Sequence, residues 1–219
     1  MTVFPLGADK GRQVTLERLS VSRETATQLD TYVGLLNRWQ PIKNLVAPST
    51  LEAIWPRHIL DSGQLASLFP DAKVWVDFGS GAGFPDMVVA ILLAGQPGRL
   101  VHLIESNQRK AAFLREVARV TGAPVLIHAG RIEAIVPTLL APVDLVTARA
   151  LASLADLLDL AAPLLKNGAQ AAFLKGQDVE GELTEAAKSW RIKANLIPSL
   201  SDKAARIVHV SSAEKESVS

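Results

Sequence analysis

The sequence predicts an α/β fold, with helices on both faces of a mostly parallel sheet and a helical appendage ahead of it. Up to about residue 69, apolar residues recur at spacings of three and four, which is typical of amphipathic helices. After Pro70, short apolar runs alternate with helix-like segments, and this alternation indicates parallel strands joined by helices. The predicted parallel strands are residues 74–78, 100–104, 125–129, 143–147 and 169–174, and residues 192–198 and 205–210 predict a closing antiparallel pair.

The N-terminal helices are predicted from periodicity and from capping signals. One helical face carries Ala26, Leu29, Tyr32, Val33, Leu36 and Trp39. Ser22 is the predicted N-cap of this helix, and Pro41 is expected to end it. Ser49 opens a capping-box pattern, so a second helical segment is expected from there to about residue 69. Pro56 should kink or divide that second segment.

The pattern of apolar and polar residues divides the chain into three segments. Residues 1–70 form the helical region that we expect to pack on the core, and residues 71–210 form the α/β domain. Residues 211–219 are polar and are expected to form a flexible tail, as chain ends often do.

Composition narrows the class of protein. Hydrophobic residues make up 48% of the chain and charged residues 21%, as in an ordinary globular protein. The absence of cysteine excludes disulfides and thiolate chemistry, and the histidines lack a metal-ligand spacing, so no metal site is expected. The net charge of +1 argues against coating nucleic acid through bulk charge but allows a local basic face. Without a signal-peptide pattern or a membrane-length apolar run, the sequence predicts a cytoplasmic protein.

A glycine-rich segment follows the first predicted strand, at the edge of the sheet where ligands bind in folds of this kind. Its residues Gly79, Gly81 and Gly83 permit a tight turn and a close approach of backbone N–H groups to a ligand. The spacing differs from the Gly-x-Gly-x-x-Gly of dinucleotide-binding proteins. A purely structural turn is the alternative interpretation.

Two further elements follow the second and third predicted strands. Glu105 ends the second strand, where a carboxylate accepts hydrogen bonds from the hydroxyls of a ribose. The alternative for Glu105 is a solvated carboxylate that caps the next helix. Residues 130–133 follow the third strand, at the place of a nucleoside base. Together with the glycine turn, these elements predict a nucleoside-bearing cofactor that lies across the strand ends.

The same motifs carry a resemblance to a known family. The segments that carry it are residues 77–85, 105–110, 130–133 and 146–150, with 36–39, 43–45, 57–62 and 173–176. Over roughly residues 25–210, the chain resembles the bacterial RsmG family, also called GidB. The resemblance implies a Rossmann-like class I S-adenosylmethionine methyltransferase that acts on N7 of a guanine in 16S ribosomal RNA, at position 527 in the 530 loop. The implied partner is the small ribosomal subunit or its assembly intermediate.

The strand ends and the resemblance together give a set of expected cofactor-binding residues. These are Gly79, Gly81, Gly83, Phe84, Glu105, Ile132, Glu133 and Arg149. By the resemblance, Ile132 and Glu133 match the pair beside the adenine, and Arg149 matches a further cofactor-site position. Asp86 departs from the family pattern, which continues Phe-Pro-Gly. Its carboxylate is expected to repel the methionine carboxylate of the cofactor or to compete for the same N–H groups.

The chemistry that the resemblance implies requires no general base. N7 of guanine carries an exposed lone pair, so the enzyme has to hold nucleophile, methyl group and sulfur in line, and no catalytic residue is nominated. The residues expected to grip RNA are Arg57, His58, Arg109 and Lys175. Each has a simpler alternative, a solvated surface charge or, for His58, a hydrogen-bonded histidine at the junction of the two regions.

Two other functions share part of this pattern. An NAD-dependent Rossmann oxidoreductase has the same order of strand, glycine turn, strand and acid. The glycine spacing and the lack of an evident hydride-transfer site disfavour it. A catalytically weakened RNA-binding module, which has lost activity through Asp86, is the second alternative.

Overall fold

A seven-stranded sheet forms the centre of the computed structural model, which describes residues 6–43, 45–139 and 141–216. Its strands are β1 (Val74–Phe78), β2 (Leu100–Ile104), β3 (Val125–His128), β4 (Leu145–Arg149), β5 (Gln170–Lys175), β6 (Trp190–Pro198) and β7 (Arg206–Lys215). The order across the sheet is β3-β2-β1-β4-β5-β7-β6, with the first five strands parallel and the last two antiparallel to their neighbours. The predicted α/β fold with a closing antiparallel pair is therefore confirmed.

Helices cover both faces of this sheet. They are α1 (Leu6–Leu19), α2 (Arg23–Lys43), α3 (Asp61–Leu68), α4 (Asp86–Leu93), α5 (Gln108–Thr121), α6 (Ile132–Ile135), α7 (Leu154–Lys166) and α8 (Val179–Ala186). A π-helical segment, Trp55–Leu60, leads directly into α3, and short 3-10 turns lie at Pro48–Thr50 and Val136–Thr138. No helix in the described ranges is both long enough and apolar enough to cross a membrane.

In the N-terminal region, the predicted N-cap Ser22 is confirmed, whereas the predictions for Pro41, Ser49 and Pro56 are wrong. The Ser22 hydroxyl accepts a hydrogen bond from the Thr25 N–H at 3.1 Å, as expected of an N-cap. Pro41 does not end α2, because a proline in the last turn removes only one hydrogen bond from the helix. Ser49 opens no capping box, since it lies inside a 3-10 turn. Pro56 does not divide a helix; it occupies the first turn of the π-helical segment, where its missing N–H costs no internal hydrogen bond.

One hydrophobic core extends from the N-terminal helices into the sheet. Leu29, Leu36 and Trp55 belong to the same buried cluster as Trp75 and Leu103 of β1 and β2. A second cluster lies on the opposite face, beneath α7 and α8. The division at residue 70 stays a prediction, because the core is shared by the two regions.

The C-terminal segment differs from its expected form. Residues 211–215 belong to β7, where Ala213 pairs with Ile192 and Lys215 pairs with Trp190. Polar side chains do not prevent this pairing, because backbone groups make it and one sheet face is solvated. The expected flexible tail at 211–219 is therefore wrong for residues 211–215, and residues 217–219 lie outside the described part of the chain.

The start of α5 supplies a test of the local capping. The Asn107 side-chain oxygen accepts hydrogen bonds from the N–H groups of Arg109 and Lys110, at 3.0 and 3.3 Å. We expect Asn107→Ala to lower the free energy of unfolding by about 1 kcal/mol, the usual value of an N-cap. Urea denaturation measures this loss. Asn107→Asp keeps the acceptor and should retain most of the stability; an equal loss in both variants would contradict the capping role.

Candidate functional site

The parallel register brings the ends of three strands level at one edge of the sheet. Phe78 of β1 lies opposite Ile104 of β2 and Ala148 of β4. The residues that follow these strands therefore meet at this edge, which is where ligands bind in open α/β sheets. They include the glycine turn, Glu105 and Arg149.

The three glycines of the turn have different surroundings. All of them have positive φ angles, +67° at Gly79, +56° at Gly81 and +99° at Gly83. A Cβ atom at Gly83 would lie 2.8 Å from Met87 Cβ and 2.9 Å from the Tyr32 hydroxyl, so this glycine is needed for packing. At Gly81 the nearest atom would be the Gly79 carbonyl oxygen at 3.7 Å. Packing therefore accounts for Gly83, whereas at Gly81 the positive φ favours glycine and the Cβ position is uncrowded.

Glu105 holds the glycine turn against the end of β2. Its Oε2 accepts a hydrogen bond from the Gly81 N–H at 2.8 Å, and its Oε1 accepts one from the Asn107 N–H at 2.7 Å. The side chain is buried, and Asn107 rather than Glu105 is the N-cap of α5. These contacts exclude a freely solvated carboxylate. Because each carboxylate oxygen has two acceptor positions, one on each oxygen stays available, and the ribose-binding role stays a prediction.

Several predicted cofactor residues line one pocket. Gly79, Ile132 and Glu133 surround a space of about 160 Å³, together with Ile104 and Gly130. These residues come from the ends of β1, β2 and β3, which are far apart in sequence. The structure thus brings together the groups expected to hold a nucleoside.

Phe84 closes the turn on the side of the N-terminal helices. Its ring stacks on His58, with centroids 4.7 Å apart, and also contacts Tyr32 at 5.4 Å. The Tyr32 hydroxyl donates a hydrogen bond to the Ala82 carbonyl oxygen at 2.6 Å, which fixes the turn to α2. Sequence reasoning placed Tyr32 only on a helix face; no local signal indicates this long-range bond.

His58 is buried and neutral. Burial, with the positive charges of Arg149 and Arg57, lowers the pKa of His58 to about 3. Both ring nitrogens are buried without a hydrogen-bond partner among the described residues. The expectation of a hydrogen-bonded junction histidine is therefore wrong in this part of the chain, because the ring packs on Phe84 instead. Its predicted contact with RNA stays a prediction.

Arg149 lies outside the nucleoside pocket and lines a second, larger cavity of about 410 Å³. Its Nη2 donates to the Arg57 carbonyl oxygen at 3.3 Å, and its Nε lies 3.9 Å from Asp61 Oδ2. Its Nη1 is buried and has no hydrogen-bond partner within the described residues. The guanidinium therefore keeps one unused donor.

The other predicted RNA contacts differ in accessibility. Arg57 and Arg109 are exposed, and Arg57 lines the 410 Å³ cavity. The Lys175 side chain is only 8% exposed and forms a 2.6 Å ion pair with Glu182. Its ammonium also donates to the Ala152 carbonyl oxygen at 2.6 Å. Lys175 thus supports the wall of the cavity, and its contact with RNA stays a prediction.

Asp86 is turned into the protein interior. It is fully buried with Asp77, and its Oδ2 accepts a hydrogen bond from the Thr147 hydroxyl at 2.7 Å. Burial raises the pKa of Asp86 to about 7, and burial with the like charge of Asp86 raises the pKa of Asp77 well above its ordinary value. No glycine-turn N–H donates to Asp86 among the described residues. The expected competition with the cofactor for these N–H groups is therefore wrong for the observed conformation.

Asp61 belongs to the segment 57–62 that carries the family resemblance, but the sequence predicts no role for it in the site. Its Oδ1 accepts hydrogen bonds from the hydroxyls of Ser199 and Ser201, at 2.6 and 2.9 Å, and from the Gln64 amide at 3.0 Å. Ser199 lies 138 residues away along the chain, so no local pattern predicts this contact. Of the described residues, no three His, Asp or Glu side chains are arranged to hold a metal ion.

Comparisons with known proteins agree with one another. A family model described as rRNA small subunit methyltransferase G (GidB) matches residues 25–208. A protein of that name from a Bradyrhizobium species is 56% identical over 194 residues, which cover 89% of this chain and 86% of the relative. Another from Methylorubrum extorquens is 51% identical over 201 residues, covering 92% and 95% of the two chains.

Solved structures share the fold at low sequence identity. The O-methyltransferase TomG from Streptomyces achromogenes, solved in complex with SAM, has a TM-score of 0.58 at 15% identity and covers 95% of this chain and 100% of its own. An O-methyltransferase from Bacillus cereus, solved with SAH, has a TM-score of 0.55 at 14% identity and covers 83% and 90%. These likenesses confirm the Rossmann-like class I methyltransferase fold.

Proposed function

The chain belongs to the family of rRNA small subunit methyltransferase G, and we propose that it methylates N7 of guanine 527 in 16S ribosomal RNA. It is an S-adenosylmethionine-dependent methyltransferase, so this interpretation stands over the NAD-dependent oxidoreductase. The proposed partner is the small ribosomal subunit or an assembly intermediate of it, and the proposed compartment is the cytoplasm.

The observation that carries the proposal is the uncrowded Cβ position of Gly81, in the turn whose Gly79 lines a pocket built from strand ends. A glycine with free space at its Cβ position lets a ligand approach the backbone closely. We assign the adenine base to the pocket of Gly79, Ile132 and Glu133, and the ribose to Glu105. S-adenosylmethionine, when bound, supplies an electrophilic methyl group on a positively charged sulfur.

The residues of this chain contribute by holding and orienting the reactants. N7 of guanine is already nucleophilic, so no side chain has to remove a proton from it. His58 is neutral at physiological pH and is a poor proton donor or acceptor for this step, since its pKa is about 3. Alignment and exclusion of water by Phe84 and its neighbours therefore carry the catalysis.

We assign RNA binding to the exposed arginines near the carboxyl ends of the parallel strands. Arg57 is exposed and lines the larger cavity, and Arg109 lies in the first turn of α5. Both side chains are placed to contact phosphates, which fix register without reading sequence. His58 and Lys175 are buried, so we assign them to shaping the RNA-binding edge.

Methyl transfer to small subunits that lack the modification tests the function. With labelled S-adenosylmethionine, we expect incorporation of label at N7 of one guanine, mapped by cleavage of the rRNA at that base. Calorimetry on the same preparation shows whether the cofactor binds. A protein that binds the cofactor but leaves naked 16S rRNA, small subunits and assembly intermediates all unlabelled would refute the assigned substrate.

Arg149 provides a prediction for the cofactor site. Arg149→Ala is expected to lower kcat/KM by about 10- to 100-fold, the value of one or two hydrogen bonds to a charged group. Arg149→Lys should recover only part of the activity, because an ammonium lacks the planar set of donors. Arg191→Ala removes an exposed arginine on β6 and serves as the control. Unchanged kinetics in Arg149→Ala would remove Arg149 from the site.

A further inference from the structure

The 410 Å³ cavity lies beside the proposed nucleoside pocket and is separate from it. It occupies the ends of β4 and β5, between the π-helical segment and the loop that joins β6 to β7. Ala152 lines both spaces, so the cavity borders the cofactor site directly. Its volume is within the range of small-molecule sites, roughly 300–1,000 Å³. Of the proposed cofactor residues, Gly79, Ile132 and Glu133 do not line it, whereas Arg149 does.

Asp61 is the buried carboxylate in the wall of this cavity. The residue is 7% exposed, and its two oxygens have different environments. Oδ1 accepts three hydrogen bonds, from Ser199, Ser201 and Gln64. Oδ2 lies 3.9 Å from Arg149 Nε and accepts no hydrogen bond from the described residues. One oxygen is therefore fixed by the protein, and the other keeps its acceptor positions for a ligand.

We propose that this cavity receives the target guanine base and that Asp61 Oδ2 accepts hydrogen bonds from its N1–H and 2-amino groups. This inference rests on the proposed function, which supplies guanine as the substrate. A carboxylate has only acceptors, and the Watson–Crick edge of guanine presents two adjacent donors. Adenine presents an acceptor, N1, at the same place, so the buried carboxylate selects guanine.

The orientation that Asp61 imposes suits the reaction. N7 lies on the opposite edge of the purine from the N1–H and 2-amino groups, so pairing with Asp61 leaves N7 free. A base in this cavity has left its stack in the RNA, as nucleic-acid bases do in other enzymes that modify them. The exposed Arg57 at the cavity wall is placed to hold a flanking phosphate.

A substitution in the RNA combined with one in the protein tests the contact. Small subunits are assembled from ligated 16S rRNA in which inosine replaces the target guanosine, which removes only the 2-amino group. With the wild-type protein, we expect kcat/KM to fall by about 10- to 100-fold for inosine, as for loss of a hydrogen bond to a charged group. With Asp61→Asn, guanosine and inosine should be methylated at similar, low rates.

Ser199→Ala is the matched control for the structural role of Asp61. It removes one hydrogen bond to Oδ1 and leaves Oδ2 in place, so the preference for guanosine over inosine should persist. Calorimetry should show that Asp61→Asn still binds S-adenosylmethionine. If Asp61→Asn retains the full preference for guanosine, Asp61 only tethers the loop and the inference is overturned. Failure of the proposed function is a different result: the wild-type protein would then methylate no guanosine-containing substrate.

Discussion

Gly81→Val is expected to abolish binding of S-adenosylmethionine while the protein remains folded. The glycine N–H donates to Glu105, and the space where a Cβ would lie is open apart from the Gly79 carbonyl oxygen at 3.7 Å. A Cβ atom at this position therefore makes only an ordinary van der Waals contact with the protein, and the valine methyl groups fill the space in which the cofactor approaches the backbone. We expect an affinity loss of at least about 100-fold, measured by calorimetry, because the clash is with the ligand itself.

Gly122→Val separates this effect from backbone strain. Gly122 ends α5 with φ +66°, close to the +56° of Gly81, and a Cβ there meets nothing within 4 Å. Both valines carry a similar cost, about 1–2 kcal/mol or somewhat more for a branched side chain in the left-handed region. The two variants should therefore lose similar stability in urea, whereas only Gly81→Val should lose the cofactor. Comparable cofactor affinity in both would show that the turn does not contact the ligand.

The fold was predictable where local pattern and tertiary packing agree. The bounds of β1 and β2 match their apolar runs, because each is buried and enclosed by polar or turn-forming residues. The errors concern Pro41, Ser49 and Pro56, whose effects depend on where each residue lies in a helix. The continuation of β7 past Val210 was missed because a partner strand, not its own composition, determines its length.

The site was predictable as a place and only partly as a set of contacts. Residues after strands of a parallel sheet must meet at one edge, so the nucleoside pocket follows from their positions alone. Side-chain partners that are distant in sequence leave no such pattern. The bonds from Gly81 to Glu105 and from Ser199 to Asp61 are examples, and they decide which carboxylate oxygens stay available.

Asp86→Asn is expected to change how stability depends on pH. The pKa of Asp86 is raised from 3.8 to about 7 in the folded protein, so the folded state binds the proton more tightly than the unfolded state. The wild-type protein should therefore lose stability as pH rises from about 4 to about 7, by a free energy on the order of 4 kcal/mol if Asp86 acts alone. Asparagine cannot ionise, so the variant should be the more stable protein at pH 8.

Urea denaturation at pH 5 and pH 8 measures this difference, with Asp159→Asn as a control. Asp159 is half exposed and should leave the pH dependence as it is. Asp77 keeps some dependence in the Asp86→Asn protein, because burial alone also raises its pKa. If the free energy of unfolding changes between pH 5 and pH 8 by the same amount in Asp86→Asn as in the wild type, Asp86 is not protonated in the folded state.

Substitution of Asp86 also tests the alternative of a catalytically weakened RNA-binding module. Asp86 forms its hydrogen bond with Thr147, away from the turn N–H groups, so Asp86→Gly should bind S-adenosylmethionine as tightly as the wild type does. A large gain in affinity on Asp86→Gly would show instead that the carboxylate opposes the cofactor. Because Asp86 is fully buried at the start of α4 and accepts a hydrogen bond from Thr147 of β4, we expect its influence on stability to exceed its influence on binding.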